Sequence, residues 1–453
     1  MTVSSRARAN VARDVRRGTY TGVRSRLPVA LALFLPAALV RLVLAPLTAW
    51  PNDTYPWVTV GWDLLAGYGP YDRLGFSYPP GWAAVLALVL RPLALVFPPD
   101  RWATLPSSGL TDLPVPHPIT LLAVKLPSIL ADLAVGWLLY RKSARAAALW
   151  LFNPLVIFVS SVHGQYDAFV SLTVLLALIA VLGGAAFLSG LACGLGTALK
   201  LTPLYAGPIL LAAVVHRGLR AGKLRRAMLE PVRWGLGGLI GLLPALALLS
   251  TGFRVVVNAR LGVAARTSDG LNPGALRRTP WAADWRLWTD WYPTLSQVLL
   301  IALPLAFALI VLVRGEQALI PAVTGGLTAV VVFQPVTQPQ YILWVIPSAL
   351  LSGSRAYAVL ASVLALPALL YYDGLVGNLV AYVSQPLSLY LHRGYPFDAT
   401  MTGHLDYLAQ TGAFGGQSVS DSIGQFGALI SPIWLCLLLV SLWKALRDGH
   451  EER

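Results

Sequence analysis

The hydrophobic pattern of this chain is a series of apolar segments separated by short polar turns. A helix that crosses a membrane needs about 20 apolar residues, with a range of roughly 17–25. Apolar segments recur along almost the whole chain, and the candidate spans are 28–48, 119–140, 146–161, 168–183, 185–199, 201–215, 234–250, 294–313, 317–334, 341–353, 356–372 and 428–443. The pattern therefore predicts an all-α fold, a polytopic bundle of about 12 transmembrane helices.

Successive membrane crossings must alternate between the two faces of the membrane, and one further apolar segment, 81–97, does not fit this alternation. The Arg-rich N-terminus and the basic turn at 141–145 both carry the positive charge that is typical of cytoplasmic segments. Segments 81–97 and 119–140 therefore cannot both cross the membrane. Because 81–97 is short and contains Arg91 followed by a proline, we predict that it is non-spanning or re-entrant.

This topology places both termini in the cytoplasm and divides the molecule into three parts. Residues 1–27 form a basic arm, residues 28–443 form the transmembrane domain, and residues 444–453 form a short tail. Two long loops, 251–293 and 373–427, fall on the extracytoplasmic side. The expected location is the plasma (inner) membrane, as a multi-pass protein.

Composition supports a membrane protein and excludes a soluble one. The chain is 56% hydrophobic and 12% charged, whereas soluble proteins contain about 25% charged residues. The net charge of +14 comes from basic patches between apolar segments, which is typical of topology signals and of contacts with anionic lipids; nucleic acid is not a predicted partner. The two cysteines, Cys193 and Cys436, lie in apolar segments and cannot form a disulfide framework or a metal site.

The first outer loop, 49–80, is rich in aromatic residues and contains Asp53 shortly after the first predicted helix. A carboxylate at this position can act as a general base that takes the proton from an attacking hydroxyl. It can equally be a helix cap, because Asn52-Asp53-Thr54 is a suitable cap for the amphipathic stretch 55–66. The local sequence leaves both interpretations open.

A second polar interruption, His163-Gly164-Gln165-Tyr166-Asp167, separates two apolar segments on the predicted outer side. Ionisable groups at membrane depth are costly and usually mark a functional site. The alternatives are an interfacial turn and a helix cap at Asp167. One His and one Asp fall short of the three or four ligands of a metal site, so no metal is expected.

Two more polar features interrupt apolar segments. Lys200 can offer a point charge to a phosphate, or its ammonium can extend to the lipid headgroups. The segment 334–341 contains three glutamines, and Gln338, Gln340 and the adjacent Tyr341 can bind sugar hydroxyls or a phosphate. A polar hairpin is the alternative for this segment.

Weaker signals come from two other places. Lys125 and Asp132 lie two turns apart on one helix face, where they can be ordinary buried groups that pair with other helices. The loop 373–427, with His392 and Arg393, can shape a cleft for an acceptor.

Four short motifs share their spacing with one family of membrane enzymes. In the first motif, Asp53 lies fourteen residues before Gly67 and is followed by the turn Tyr78-Pro79-Pro80. In the second, Asn153-Pro154 precedes Gly164 and Asp167. The other two are Lys200-x-x-Pro203 and Gln340-Tyr341-Ile342-Leu343-Trp344. In these motifs the chain resembles the GT-C glycosyltransferases, and most of all GPI mannosyltransferase I and the prokaryotic polyprenol-phosphate-mannose-dependent mannosyltransferases. The likeness extends from residue 28 to about residue 350. One departure is Pro51, which stands where the GPI enzyme has the first carboxylate of Asp-x-Asp.

The resemblance implies an inverting glycosyltransferase that uses no cofactor. A sugar, with mannose the expected one, would pass from a polyprenyl-phosphate donor to a lipid or glycolipid acceptor at the extracytoplasmic face. The resemblance implies that Asp53 is the catalytic base, and since Pro51 removes a second carboxylate, no metal held by two Asp is expected. The implied substrate-binding residues are Tyr78, His163, Gln165, Asp167, Lys200, Gln338, Gln340 and Tyr341.

Two other functions share the same polar residues. A transporter or flippase of lipid-linked sugars would also place polar groups between its helices, but it gives no reason for a carboxylate in the first outer loop. A non-catalytic membrane scaffold would need these residues only for stability.

Overall fold

The computed structural model describes the ranges 23–49, 51–73, 76, 78–97, 103–105, 115–222, 224–248, 269–270, 291–334, 336–369 and 419–447. The α-helices in this part of the chain are α1 Val23–Leu47, α2 Pro51–Leu65, α3 Gly81–Val96, α4 Pro118–Lys142, α5 Ala144–Leu151, α6 Pro154–Ile157, α7 Asp167–Leu182, α8 Ala186–Leu199, α9 Thr202–Arg220, α10 Leu224–Leu246, α11 Tyr292–Arg314, α12 Leu319–Phe333, α13 Ile346–Leu351, α14 Arg355–Leu369 and α15 Val419–Arg447. A π-helix at Phe158–His163 and 3₁₀-helices at Glu316–Ala318 and Pro339–Trp344 join them.

Extended structure in these ranges is limited to four fragments of two or three residues. Strands β1 Ala103–Leu105 and β2 Val115–Pro116 pair antiparallel, and β3 Asp269–Gly270 and β4 Val336–Thr337 pair parallel. The prediction of an all-α, helical membrane protein is therefore confirmed at the level of fold class.

Within the described ranges, five helices are long and apolar enough to cross a membrane. A sixth is added if the bent pair Ala144–Leu151 and Pro154–His163 forms one span. Five further apolar helices in these ranges are shorter. The expected number of about 12 crossings stays a prediction based on length and charge.

The structure differs from the predicted pattern where polar residues interrupt it. Residues 51–65, predicted as part of a loop with an amphipathic stretch at 55–66, form α2 from Pro51 onward, because proline suits the first turn of a helix. The predicted helix 341–353 divides into the 3₁₀-helix and α13. The last helix begins at Val419 rather than at residue 428.

The 51° bend between α5 and α6 has a clear local cause. Pro154 cannot donate a backbone hydrogen bond, so the helix stops before it. Asn153 then caps α6, since its Oδ1 accepts from the Leu155 amide at 3.0 Å. The Asn153 amide group also donates to Ser362 Oγ at 2.6 Å, which fastens the bend to α14.

The bundle has a polar end and a basic end. At the polar end Thr48, just after α1, donates to the Ser161 carbonyl oxygen at 3.2 Å, and Lys200 precedes α9. At the basic end Arg217, in the last turn of α9, pairs with Glu316, two residues after α11, at 2.6 Å. Three helices that run toward the basic end finish in basic residues, namely Arg141 and Lys142 in α4, Arg217 and Arg220 in α9, and Arg314 in α11. Helix α7 starts at Asp167 and ends without one.

Helix α3 begins and ends on the polar side of this bundle. Gly81 packs so closely against Ala198 that an added Cβ would lie 2.4 Å from the Ala198 carbonyl oxygen. At the other end, the Phe97 ring centroid lies 4.9 Å from that of His117, the residue that caps α4. Helix α3 has 16 residues and is among the shorter apolar helices, and its non-spanning placement stays a prediction.

Helices α8 and α10 pack through glycines spaced four residues apart. A Cβ built on Gly194 would lie 2.1 Å from the Gly238 carbonyl oxygen, and one on Gly190 would lie 1.9 Å from that of Trp234. Small residues at this spacing let two helix backbones approach closely in a membrane. Gly235, on the same helix as Gly238, has no atom within 4 Å of an added Cβ.

Two glycine substitutions in this helix pair should therefore change stability in opposite directions. We expect Gly194→Ala to lower the apparent melting temperature in detergent, because its methyl group forces α8 and α10 apart. Gly235→Ala should leave it unchanged or raise it, since alanine favours the helix by about 1 kcal/mol over glycine. Equal effects of the two substitutions would contradict the close contact.

Candidate active site

Asp53 lies in the first turn of α2, two residues after its start at Pro51. Asp53 is thus a residue of the first helical turn and not the residue that caps the helix. Negative charge is favoured in this turn by the N-terminal end of the helix dipole. The His163 Nε2 atom lies 2.8 Å from Asp53 Oδ2. The Asp53 side chain is 17% exposed, whereas that of His163 is 3% exposed. The contact joins two of the polar turns that the sequence pattern indicated.

The backbone before and after His163 is unusual, and it sets the direction of the imidazole. His163 ends the π-helix, a form of helix that occurs mostly in short pieces and often at functional sites. Gly164 follows with a φ of 86°, which favours glycine. A side chain there would also be crowded, since an added Cβ would lie 3.0 Å from Lys125 Cε and 3.1 Å from Thr54 Cγ2. Trp57 Nε1 donates to the Gly164 carbonyl at 3.3 Å and holds the turn against α2.

Asp167, Lys200 and Trp344 form the second part of the site. The Lys200 ammonium and the Trp344 indole N–H both donate to Asp167 Oδ1, each at 2.7 Å. Asp167 is fully buried and Lys200 is 7% exposed, so the lysine does not extend to the headgroups. Asp167 is the first residue of α7 and not its cap. Three distant stretches of sequence therefore meet at one carboxylate oxygen.

Aromatic rings surround the Lys200 ammonium. Its Nζ lies 4.4 Å from the ring centroid of Tyr341, and the rings of Trp344, Tyr166 and Tyr78 follow at 5.0, 5.3 and 5.9 Å. Cations are attracted to aromatic faces within about 6 Å. These rings also contact one another: Tyr341 stacks on Trp344, and Tyr166 meets Tyr78 edge to face.

Three buried oxygen atoms beside this cluster have no hydrogen-bond partner among the described residues. They are Gln165 Oε1, Asp167 Oδ2 and Gln340 Oε1. The side-chain nitrogen of Gln340 donates to Gln338 Oε1. Buried acceptors without donors are costly, so these three atoms are available to hydroxyl or N–H donors.

All nine predicted site residues thus lie at the polar end, though not in one network. Asp53 contacts His163 directly, whereas Tyr78, Asp167, Lys200 and Tyr341 meet around the lysine ammonium. Gln165, Gln338 and Gln340 lie in the same turns, two of them with unsatisfied acceptors. Among the residues in view, no group of three or more His, Cys, Asp or Glu side chains could hold a metal ion.

The sequence analysis missed several residues that build the site. Tyr166 and Trp344 lie inside the polar turn 163–167 and the motif 340–344, and their aromatic side chains were the sequence feature that could have indicated a place in the site. Trp82 stacks on Tyr166 with centroids 4.4 Å apart and lies within an apolar segment, where a tryptophan gives no such signal. The proposed acceptor residues His392 and Arg393, and most of the loops 251–293 and 373–427, lie outside the described residues.

Comparisons with known proteins add no relative to this picture. A scan against protein-family models and a search of curated proteins gave no match.

The contribution of the buried Lys200–Asp167 pair to stability can be tested directly. We expect Asp167→Asn to cost about 3–5 kcal/mol of stability, because it leaves a buried ammonium without its counter-charge. The apparent melting temperature of the purified protein would report this loss. A double variant, Asp167→Asn with Lys200→Met, should recover part of it by removing the stranded charge. If the double variant is no more stable than Asp167→Asn, the charge pair is not the source of the effect.

Proposed function

We propose that this protein is an inverting glycosyltransferase of the GT-C type, which moves a sugar from a polyprenyl-phosphate donor to a lipid or glycolipid acceptor. The observation that carries the proposal is that the motifs shared with the GT-C family, far apart in the sequence, lie close together in the structure. The Asp53 and His163 side chains lie 2.8 Å apart, and the turn that contains His163 continues to Asp167, which binds Lys200 and Trp344. Residues separated by up to 291 positions thus lie at one end of an apolar bundle, in two groups connected by the turn from His163 to Asp167.

In the proposed reaction Asp53 is the general base. Its carboxylate takes the proton from the acceptor hydroxyl, and the acceptor oxygen forms a bond to C1 of the sugar. The bond between C1 and the phosphate oxygen breaks on the opposite face, so the configuration inverts and the polyprenyl phosphate leaves with the bonding electrons. Asp53 suits this role because it is the most exposed carboxylate of the cluster, and His163 holds its orientation.

The other residues are assigned by their chemistry. The leaving phosphate gains charge, and oriented donors stabilise such charge; we assign this role to His163 and Lys200, with Gln338 and Gln340 beside them. The unpaired acceptors of Gln165, Asp167 and Gln340 suit sugar hydroxyls. Tyr78 and Tyr341 supply aromatic surface against which the sugar ring can pack. Mannose is the sugar that the resemblance favours, and no metal or other cofactor takes part in the proposal.

The distribution of charge supports the proposed membrane side. Basic residues are enriched on the cytoplasmic side of membrane proteins, and the basic end of this bundle lies opposite the cluster. We therefore propose an extracytoplasmic active site, about 12 crossings and two cytoplasmic termini in the plasma (inner) membrane. The polyprenyl tail of the donor would remain in the bilayer while its sugar reaches the cluster.

The central test is Asp53→Asn. We expect transfer to fall by about 10²–10⁴-fold, the usual contribution of a general base. The assay incubates purified protein with polyprenyl-phosphate mannose and a membrane lipid extract, and mass spectrometry detects the glycosylated product.

Asp63→Asn is the matched control, since Asp63 lies on the same helix and pairs with Arg73 at 3.4 Å. It should retain near-native transfer. Near-native transfer by folded Asp53→Asn would contradict the mechanism. Movement of the lipid-linked sugar across vesicles without a new glycosidic bond would instead indicate a flippase.

A further inference from the structure

Lys125 is fully buried in α4 and is surrounded by neutral oxygen atoms. Its ammonium donates to the carbonyl oxygens of Ala45, Thr48, Ser161 and Val162 at 3.1, 2.7, 3.0 and 3.0 Å, and to Thr48 Oγ1 at 3.1 Å. Among the described residues its hydrogen-bond partners include no carboxylate. A buried charge is costly unless it is well paired, so these oxygen atoms must together stabilise the ammonium.

The oxygen atoms around Lys125 come from the C-terminal ends of two helices. Ala45 and Thr48 belong to the end of α1, and Ser161 and Val162 to the end of the π-helix. Carbonyl groups in the last turn have no partner within their own helix and carry the negative end of the helix dipole. Lys125 therefore acts as one cap shared by two helix ends.

Each capped helix end leads directly to a residue of the Asp53–His163 contact. Val162 immediately precedes His163, and Thr48 lies five residues before Asp53. Lys125 also packs against the turn after His163, since a Cβ added to Gly164 would lie 3.0 Å from Lys125 Cε. The two chain segments that have to meet for the contact to form are thus held by the same ammonium.

We propose that Lys125 is a positioning residue that holds Asp53 and His163 within reach of each other. Its importance for sugar transfer rests on the proposed function, but the geometric claim does not. Lys125 needs no contact with a substrate for this role. It acts through the backbone of the two segments that carry the catalytic base and its histidine partner.

A second buried charge pair joins the same elements farther from the site and provides a matched control. Arg41 of α1 pairs with Asp132 of α4 at 2.6 Å, and Ser160 of the π-helix donates to Asp132 at 2.9 Å. Replacing both charges by apolar residues, in Arg41→Met with Asp132→Leu, removes this brace without stranding a charge. It leaves the Lys125 cap in place.

The experiment measures the Asp53–His163 contact without using activity. The full-length protein is labelled with ¹⁵N-histidine in detergent, and the His163 ring signals are assigned with His163→Asn. We expect Asp53→Asn to shift these signals in the native background. When Asp53→Asn is combined with Lys125→Met, it should no longer shift the His163 signals. When it is combined with the Arg41→Met/Asp132→Leu control, it should shift them as in the native background.

In the transfer assay Lys125→Met should lower kcat by about 10²-fold, a cost typical of misplaced catalytic groups, with little change in KM for the donor. A native ring-signal response in folded Lys125→Met would overturn the positioning role, even if transfer is established. Absence of transfer in the native protein would overturn the proposed function but leave the ring-signal result intact.

If Lys125→Met does not fold, Thr48→Val provides a milder test. Thr48 Oγ1 accepts from Lys125 at 3.1 Å, and three carbonyl oxygens compete for its one proton: Leu44 of α1 at 2.8 Å, and Ser161 and Val162 at 3.2 and 3.3 Å. The hydroxyl therefore lies between the two helix ends. We expect Thr48→Val to reduce the response of the His163 signals to Asp53→Asn. A full native response in this variant would count against the shared cap.

Discussion

The cost of placing charge in an apolar interior governs the arrangement of this molecule. Among the described residues, three buried cations are matched by oriented partners: Arg41 by Asp132, Lys200 by Asp167, and Lys125 by helix-end carbonyls. Such groups are stable only where geometry and hydrogen bonding are good. Lys125 binds carbonyl oxygens at two helix ends, where the backbone offers unpaired oxygen atoms, and Lys200 directly follows the end of α8. Arg41 and Asp132 lie within α1 and α4 and satisfy each other. The chemistry of the polar end and the packing of the bundle therefore depend on the same contacts.

Broken helices make this arrangement possible. In an unbroken helix the carbonyls of Ser161 and Leu343 would be bonded within the helix and closed to other donors. Here the π-helix and the 3₁₀-helix leave such groups available, and Lys125 donates to Ser161 while Ser171 Oγ donates to Leu343 at 2.9 Å. Irregular backbone at membrane depth is tolerated when protein buries it and satisfies it. The irregular segments connect neighbouring helices through these bonds, and they also place the site residues.

The apolar periodicity was sufficient to predict the helical fold and to locate the polar turns that form the site. It indicated an amphipathic stretch at 55–66 with a possible cap at Asn52-Asp53-Thr54, but not that the helix starts at Pro51 and includes Asp53, because aromatic and turn-forming residues such as Trp57 and Pro56 obscure the pattern. Nor could it predict the pairing of Asp53 with His163, which are 110 positions apart, since local sequence carries no record of such contacts. Lys125 looked like an ordinary buried polar residue because its partners are backbone atoms, whose positions no side-chain motif reveals.

The two carboxylates of the cluster differ in a way that separates their roles. Asp167 is fully buried, and its Oδ1 accepts from both Lys200 and Trp344, which leaves only its Oδ2 for a ligand hydroxyl. Asp53 lies at the start of a helix, is 17% exposed, and contacts His163. A general base has to be reached by the group that it deprotonates. In the proposed reaction, accessibility therefore favours Asp53 over Asp167 as the general base.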